Sequence, residues 1–328
     1  MSTAIGLCAW SFTGAHRQSG RDLDPHTPEG LARLALDHGL DSIECAPGPL
    51  QEKTPDELAA FIDFLAAHQL TLVLDTGSAN LAEDTAPLRQ TLEMAHKVGA
   101  AVVRTTISSL LEGDRRKYGY QGWKDHLQAL VPPFKEVMSL AAEYNIPVGI
   151  ENHQDICSWE MVWLHEQIGS PLFGVTMDCG NALAVGESPL AFAHRILPIL
   201  KHVHIKDYTA HPSPSGYRFK RCAIGDGIVD WPALFALFDA GAPQVLRCIE
   251  LGSSSARHIR LLEDDYWSTY APRPLEETLE ALRILHRQAR PTTEEWTTPH
   301  ERDESPATCA AYELDQLARS VTYLKTIC

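Results

Sequence analysis

Short apolar runs alternate along the chain with longer stretches whose apolar residues recur at i, i+3, i+4 and i+7, and the alternation repeats eight times. The first run, Ile5 to Trp10, reads as a strand. Pro28 to His38 reads as the helix after it, with Thr27 as N-cap, Pro28 in the first turn and Gly39 as the stop. Further strands are predicted at 42–45, 70–74, 101–104, 147–151, 173–178, 203–206 and 245–250. The helices between them are expected from Thr54-Pro55 through Leu58, Phe61, Ile62 and Leu65, and then over 85–98, 123–144, 158–168, 189–199 and 231–240. Residues 274–290 supply a closing helix and 291–306 a polar, exposed loop. Leu314, Leu317, Val321 and Leu324 give 307–328 the spacing of a last helix, expected under the barrel or against a second subunit. This count predicts an α/β protein, a single (β/α)8 TIM barrel over residues 1–290 with a C-terminal helical extension over 291–328. A doubly wound sheet would place a Gly-rich phosphate turn after strand one, where this chain has Trp10-Ser11-Phe12-Thr13-Gly14.

Four of the predicted strands end on, or next to, a residue that can ligate a metal: Glu151, Asp178, His204 and Glu250. The first two intervals are about one strand–helix unit long, and the third holds one unit plus an extra loop. A parallel barrel points the carboxyl ends of its strands to one face, so the four side chains are expected to meet there. Three carboxylates and an imidazole suit a divalent manganese, magnesium or cobalt ion better than a structural zinc.

Composition narrows the partners. The chain has 328 residues and a formal net charge of −15, which argues against a nucleic-acid partner, because phosphate binding needs a basic face. No run of 18 apolar residues is present to span a membrane, and the N-terminus lacks a basic stretch followed by an apolar one. The eight cysteines are scattered singly, several inside apolar strands, as expected of a cytoplasmic protein without disulfides.

The motifs Gly149-Ile150-Glu151-Asn152-His153, Met177-Asp178-Cys179-Gly180-Asn181, His202-Val203-His204-Ile205-Lys206-Asp207, Gly225-Asp226-Gly227-Ile228-Val229-Asp230-Trp231 and Cys248-Ile249-Glu250 stand in this order. Together they resemble the sugar phosphate isomerase/epimerase family, which has the xylose-isomerase-like barrel. The resemblance covers most of residues 4–290. It implies that Glu151, Asp178, His204 and Glu250 hold one divalent ion, manganese first, with magnesium, cobalt or zinc as alternatives. It also implies that Glu151 and Glu250 face each other across a carbohydrate substrate and pass a proton to and from carbon through an enediolate. Asn181 departs from the histidine that several ketose epimerases carry at this place; asparagine can hydrogen-bond a hydroxyl but cannot titrate.

His153 lies two residues past Glu151 and is expected at the same mouth, as a base or substrate contact or as loop packing. His202 shares the parity of His204 one layer deeper and reads as a core histidine. Lys206 and Arg221 are candidates for an anionic group on the substrate, or else structural. Trp10, with Phe12, is expected to wall the site, and Glu44 lines it or pairs with a cation. Tyr266 and Trp267 in the loop after Glu250 either cover a sugar face or pack in the core. Asp207 either orients a ligand or caps its loop. The function expected is a metal-dependent isomerase or epimerase of a keto sugar, cyclitol or related polyol, working as a homo-oligomer or with a partner subunit. The alternative is a lyase or dehydratase on the same scaffold, acting on a keto sugar, an inosose or an oxo-glycoside. An apurinic-site endonuclease, which shares the barrel, would need more histidines and a basic surface.

Overall fold

The computed structural model describes residues 4–18, 23–77 and 81–328; the N-terminal reading above therefore falls partly on residues 1–3, outside the described ones. Eight parallel strands close into a barrel: β1 (Ile5–Cys8), β2 (Ser42–Cys45), β3 (Thr71–Asp75), β4 (Val102–Thr105), β5 (Val148–Glu151), β6 (Phe173–Asp178), β7 (Leu200–Ile205) and β10 (Leu246–Ile249). Around the barrel, β1 pairs β2, the sequence continues in order to β7, and β10 closes the ring between β7 and β1. Their side chains are almost wholly buried, because helices cover the outside and neighbouring side chains fill the inside.

The helices form where capping and periodicity agree. Thr27 accepts from Gly30 N at the start of Pro28–His38, and Gly39 ends that helix with φ +71°. Thr54 and Glu57 form a reciprocal capping box at the start of Pro55–Ala67, which buries Leu58, Phe61 and Leu65. Strand one is shorter than its apolar run. The chain turns through a 3-10 segment, Ala9–Ser11, because Ser11 Oγ donates to Ile249 O (3.0 Å) and accepts from Leu251 N (3.1 Å), pulling it across the barrel mouth.

Two features lie outside the simple alternation. After β7, the strands β8 (Asp207–Ser213) and β9 (Gly216–Cys222) form a hairpin, joined antiparallel by β11 (Arg257–Ile259) from the loop after β10. This three-stranded sheet roofs the mouth. It is anchored by Asp207, whose buried carboxylate accepts from the amides of Tyr208, Gly225, Gly227 and Val229 and from Trp231 Nε1. A Cβ at residue 227 would stand 2.0 Å from Asp207 Oδ1, so the turn requires glycine there. Asp207 is thus a loop cap.

The last helix, Pro306–Leu324, packs on its own chain. Its buried Glu313 takes Thr13 N (3.2 Å), Thr13 Oγ1 (2.7 Å), His16 Nε2 (2.9 Å) and His300 Nε2 (2.8 Å). No helix of the described residues is long and apolar enough to cross a membrane. All eight cysteines are free, seven of them buried.

Candidate metal centre

Glu151 ends β5, Asp178 ends β6, His204 stands one residue before the end of β7 and Glu250 directly follows β10. These strands are consecutive neighbours in the barrel, and register sets Asp178 beside His204 and His204 beside Cys248. The four side chains are therefore delivered to one arc of the mouth. One ligand atom from each lies within 4.8 Å of the others, and all four residues are buried.

Three buried carboxylates at this spacing repel one another, and the surrounding cations are placed to offset that. Lys206 Nζ lies 2.5 Å from Asp178 Oδ2 and 2.8 Å from Glu250 Oε1. Arg104 contacts Glu151 and, at 2.6 Å, Asp75. The His204 ring is held between carboxylates, with Nε2 2.8 Å from Glu44 Oε2 and Nδ1 2.7 Å from Glu250 Oε2. Burial alone would lower its pKa, but Glu44 and Glu250 push it well above the usual histidine value. Burial likewise works to raise Glu250, but Lys206 and His204 hold it well below the carboxylate range. Asp178 stays raised, with burial outweighing Lys206.

Two carboxylate oxygens facing the centre have no close partner, Glu151 Oε1 and Asp178 Oδ1, while Glu151 Oε2 meets Arg104 and Glu250 Oε2 meets His204 Nδ1. Buried polar atoms are normally satisfied. Three carboxylates and an imidazole gathered round one point, with two of the carboxylate oxygens unpartnered, form a donor set that fits a divalent cation.

The supports are equally ordered. Asn152 brackets the Asp178 backbone, donating to its O (2.9 Å) and accepting from its N (2.7 Å). Asn181 Nδ2 donates to Asp178 Oδ2 (2.7 Å), and its Oδ1 accepts from Tyr208 OH (2.8 Å). Both ends of Asn181 are thus occupied in fixing Asp178 and Tyr208, and the residue is nearly fully buried. Lys206 is also spent on the acids and does not line the cleft. His202 pairs with Glu44 (2.8 Å) beneath the centre.

Above the acids opens a cleft of about 570 Å³, lined among others by Trp10, Phe12, Arg104, His153, Arg221, Glu250 and Arg257. Trp10 donates its indole N–H to Asp75, so the Asp75–Arg104–Glu151 chain links the wall to the centre. His153 borders the cleft with its Nδ1 unpartnered, and burial, Arg104 and Lys206 keep its pKa well below the usual histidine value. The ring is therefore neutral.

Tyr266 and Trp267 are elsewhere. Tyr266 is buried, with its hydroxyl donating to Ala184 O, and Trp267 Nε1 donates to Leu261 O (2.9 Å). They pack on each other and on Tyr270, so packing, and not a wall for substrate, is their place. Among the described residues another hollow of about 540 Å³ lies between helices outside the barrel, around Tyr120, Trp159 and Trp163, away from every acid of the centre. Arg104, Asp75 and Tyr208 were not singled out from the sequence. The signal for Arg104 and Asp75 was the one that found the four acids and bases, a charged residue closing an apolar strand.

The family model described as "Xylose isomerase-like TIM barrel" matches residues 32–283. A 3-oxo-isoapionate decarboxylase from Pectobacterium atrosepticum is 24% identical over 234 residues, which covers 70% of this chain and 79% of that protein. Among solved structures, a 3-keto-D-glucoside 4-epimerase from E. coli superposes with a TM-score of 0.58 at 14% identity, covering 87% of this chain and 100% of that one. The IOLI protein, crystallised with a binding zinc atom, does so with a TM-score of 0.55 at 13% identity, covering 87% and 99%. At those identities the two structures speak for the fold. With the closed barrel and the match over most of its length, this chain belongs to the xylose isomerase-like TIM barrel family.

Proposed function

We propose that this chain is a divalent-metal-dependent isomerase or epimerase of a keto sugar, cyclitol or related polyol, with Glu151, Asp178, His204 and Glu250 holding one ion. The observation that carries the reading is the convergence of four buried ligand atoms within 4.8 Å, with Glu151 Oε1 and Asp178 Oδ1 left unpartnered. The donor set favours manganese, with magnesium, cobalt or zinc as alternatives, and the zinc atom bound in the IOLI protein supports an ion in this fold. When bound, such an ion withdraws charge from the carbonyl and neighbouring hydroxyl oxygens of the substrate, lowering the cost of an enediolate. Glu250, which lines the cleft, and Glu151 would carry the proton, one taking it from carbon and the other returning it. Arg104 orients Glu151, the Asn181–Tyr208 pair orients Asp178, and Trp10 and Phe12 wall the reacting carbons from water. The eight free thiols accord with a reducing compartment such as the cytoplasm.

One observation favours a lyase as the second reading. The Arg104 contact restrains Glu151 as a proton carrier, while His153 is neutral, has an unused Nδ1 and opens on the same cleft. A histidine base with the same enediolate suits loss of a β-oxygen; loss of carbon dioxide from a 3-oxo acid, the chemistry in the name of the decarboxylase relative, leaves that enediolate without a base and needs only a proton carrier for the carbon. Metal-loaded protein incubated in D2O with a panel of keto sugars and followed by NMR separates the two. Deuterium at carbon without loss of a group is the result expected of an isomerase or epimerase. Loss of water, CO2 or a glycosyl group identifies a lyase, and no exchange with any substrate refutes both.

A further inference from the structure

The roof sheet carries two arginines over the cleft. In its antiparallel register Arg257 of β11 pairs with Phe219 of β9, and Arg221 lies two residues along β9 from Phe219. Side chains alternate along a strand, so Arg221 and Arg257 share one face as diagonal neighbours. Tyr208, paired with Arg221 across β8 and β9, is on that face too. Its hydroxyl reaches Asn181, so the shared face is the one turned to the acids.

The other strong cations there are matched. Arg104 has Asp75 and Glu151, and Lys206 has Asp178 and Glu250. Among the described residues Arg221 and Arg257 form no ion pair. Arg221 is only 7% exposed and donates Nη1 to the carbonyls of Gly252 and Ser255, while its Nε is buried without a partner. Arg257 Nε is likewise buried and unpartnered. The nearby Glu112 does not serve them, since it accepts from His258 N (2.9 Å) and Arg260 Nη1 (3.0 Å). Gly252 permits this arrangement: a Cβ there would crowd Arg221 Nε at 3.1 Å. Two unneutralised guanidinium groups side by side are costly in a half-buried cleft. Burial and Arg221 accordingly push Arg257 below the ordinary arginine value.

We propose that Arg221 and Arg257 clamp an anionic group, a carboxylate or a phosphate, on the substrate, so that the enzyme acts on an acidic keto sugar and not on a neutral one. This rests on the proposed metal-dependent chemistry for the identity of the substrate's other end. A guanidinium pair presents donors in the fork geometry that carboxylate and phosphate accept.

Calorimetric binding of gluconate, sorbitol and sorbitol 6-phosphate to the metal-loaded protein tests it, with Arg257→Gln and Arg257→Lys alongside. The expected result is binding of gluconate or of the phosphate roughly 10- to 100-fold tighter than sorbitol, lost in Arg257→Gln and partly kept in Arg257→Lys at unchanged metal content. Which anion wins names the source of the charge. Equal binding of all three by the wild type overturns the clamp, a comparison that needs no variant to fold. A preference that survives intact in Arg257→Gln also overturns it, because the carboxylate is then held by the ion alone. The two proposals fail separately. Anion preference without solvent-deuterium exchange on any substrate leaves the clamp and removes the chemistry, whereas exchange on neutral keto sugars as fast as on acidic ones does the reverse.

Discussion

Lys206→Met tests whether the centre is built to be neutralised by a cation. In the folded chain the Lys206 ammonium lies 2.5 Å from Asp178 Oδ2 and 2.8 Å from Glu250 Oε1 and is almost fully buried. Each contact is worth about 6 kcal/mol of gross Coulomb attraction at an effective dielectric of ~20. Much of this is offset by the desolvation of all three groups, and removing one partner of a buried ion pair costs about 3–5 kcal/mol net. Methionine keeps the length of the side chain, so the loss is electrostatic. Metal-free Lys206→Met should melt roughly 5–10 °C below metal-free wild type, given about 2–4 °C per kcal/mol for a domain somewhat smaller than this one. A divalent ion should then stabilise the variant more than the wild type, because the ion replaces the missing charge and binds only the folded chain. Differential scanning calorimetry of both proteins, with chelator and with manganese, gives the four melting temperatures. Equal melting temperatures for the two metal-free proteins would refute the charge argument. An equal metal-induced rise in both would detach Lys206 from the metal centre.

Asp178→Ala should lose most of the bound metal, read as equivalents per chain by elemental analysis, and full retention with full activity would dismiss the ligand set. His153→Ala should keep its metal and melting temperature and, on the lyase reading, lose kcat by about 10²-fold or more with little change in KM; normal turnover would return the proton transfer to the two glutamates. Asp155 is buried, with Oδ1 unpartnered, and burial raises its pKa to about 6 despite the Ser108 hydrogen bond. A raised folded pKa means stability present in acid and lost as pH climbs through 6. Asp155→Asn should therefore gain on wild type between pH 4 and pH 8, by roughly 2–3 kcal/mol in urea unfolding, and a pH-independent difference would refute this. Asp207→Asn turns an amide group toward at least two of five donors and should cost about 2–4 kcal/mol of stability.

The barrel was legible because its strands are short apolar runs separated by capped helices, and a closed ring of such units admits few other arrangements. Convergence of Glu151, Asp178, His204 and Glu250 followed from strand direction alone. The same logic does not reach what lies beyond strand ends. His153 borders the cleft two residues past the end of β5 at Glu151, where strand geometry no longer fixes its neighbours. The roof sheet falls in the extra loop of the strand–helix count, although Pro212-Ser213-Pro214-Ser215-Gly216 between Tyr208-Thr209-Ala210 and Tyr217-Arg218-Phe219 carries a hairpin's turn chemistry. Its third strand comes from a segment some 35 residues further on, which no local pattern can announce. Tyr266 and Trp267 were ambiguous for the opposite reason, since aromatic rings serve a sugar face and a packed core equally well and only their partners decide.

The Glu313 anchor has a consequence for the order in which the molecule is made. Thr13 belongs to the loop that forms one wall of the cleft, and the carboxylate that satisfies its amide and hydroxyl arrives 300 residues later. A ribosome releasing this chain has already extruded every strand of the barrel before that wall acquires its brace. The barrel can close early on its own neighbour-to-neighbour pairings, whereas the cleft takes its final form only when the last helix lands. Chains cut between residues 290 and 306 should therefore hold a formed barrel with an unbraced wall.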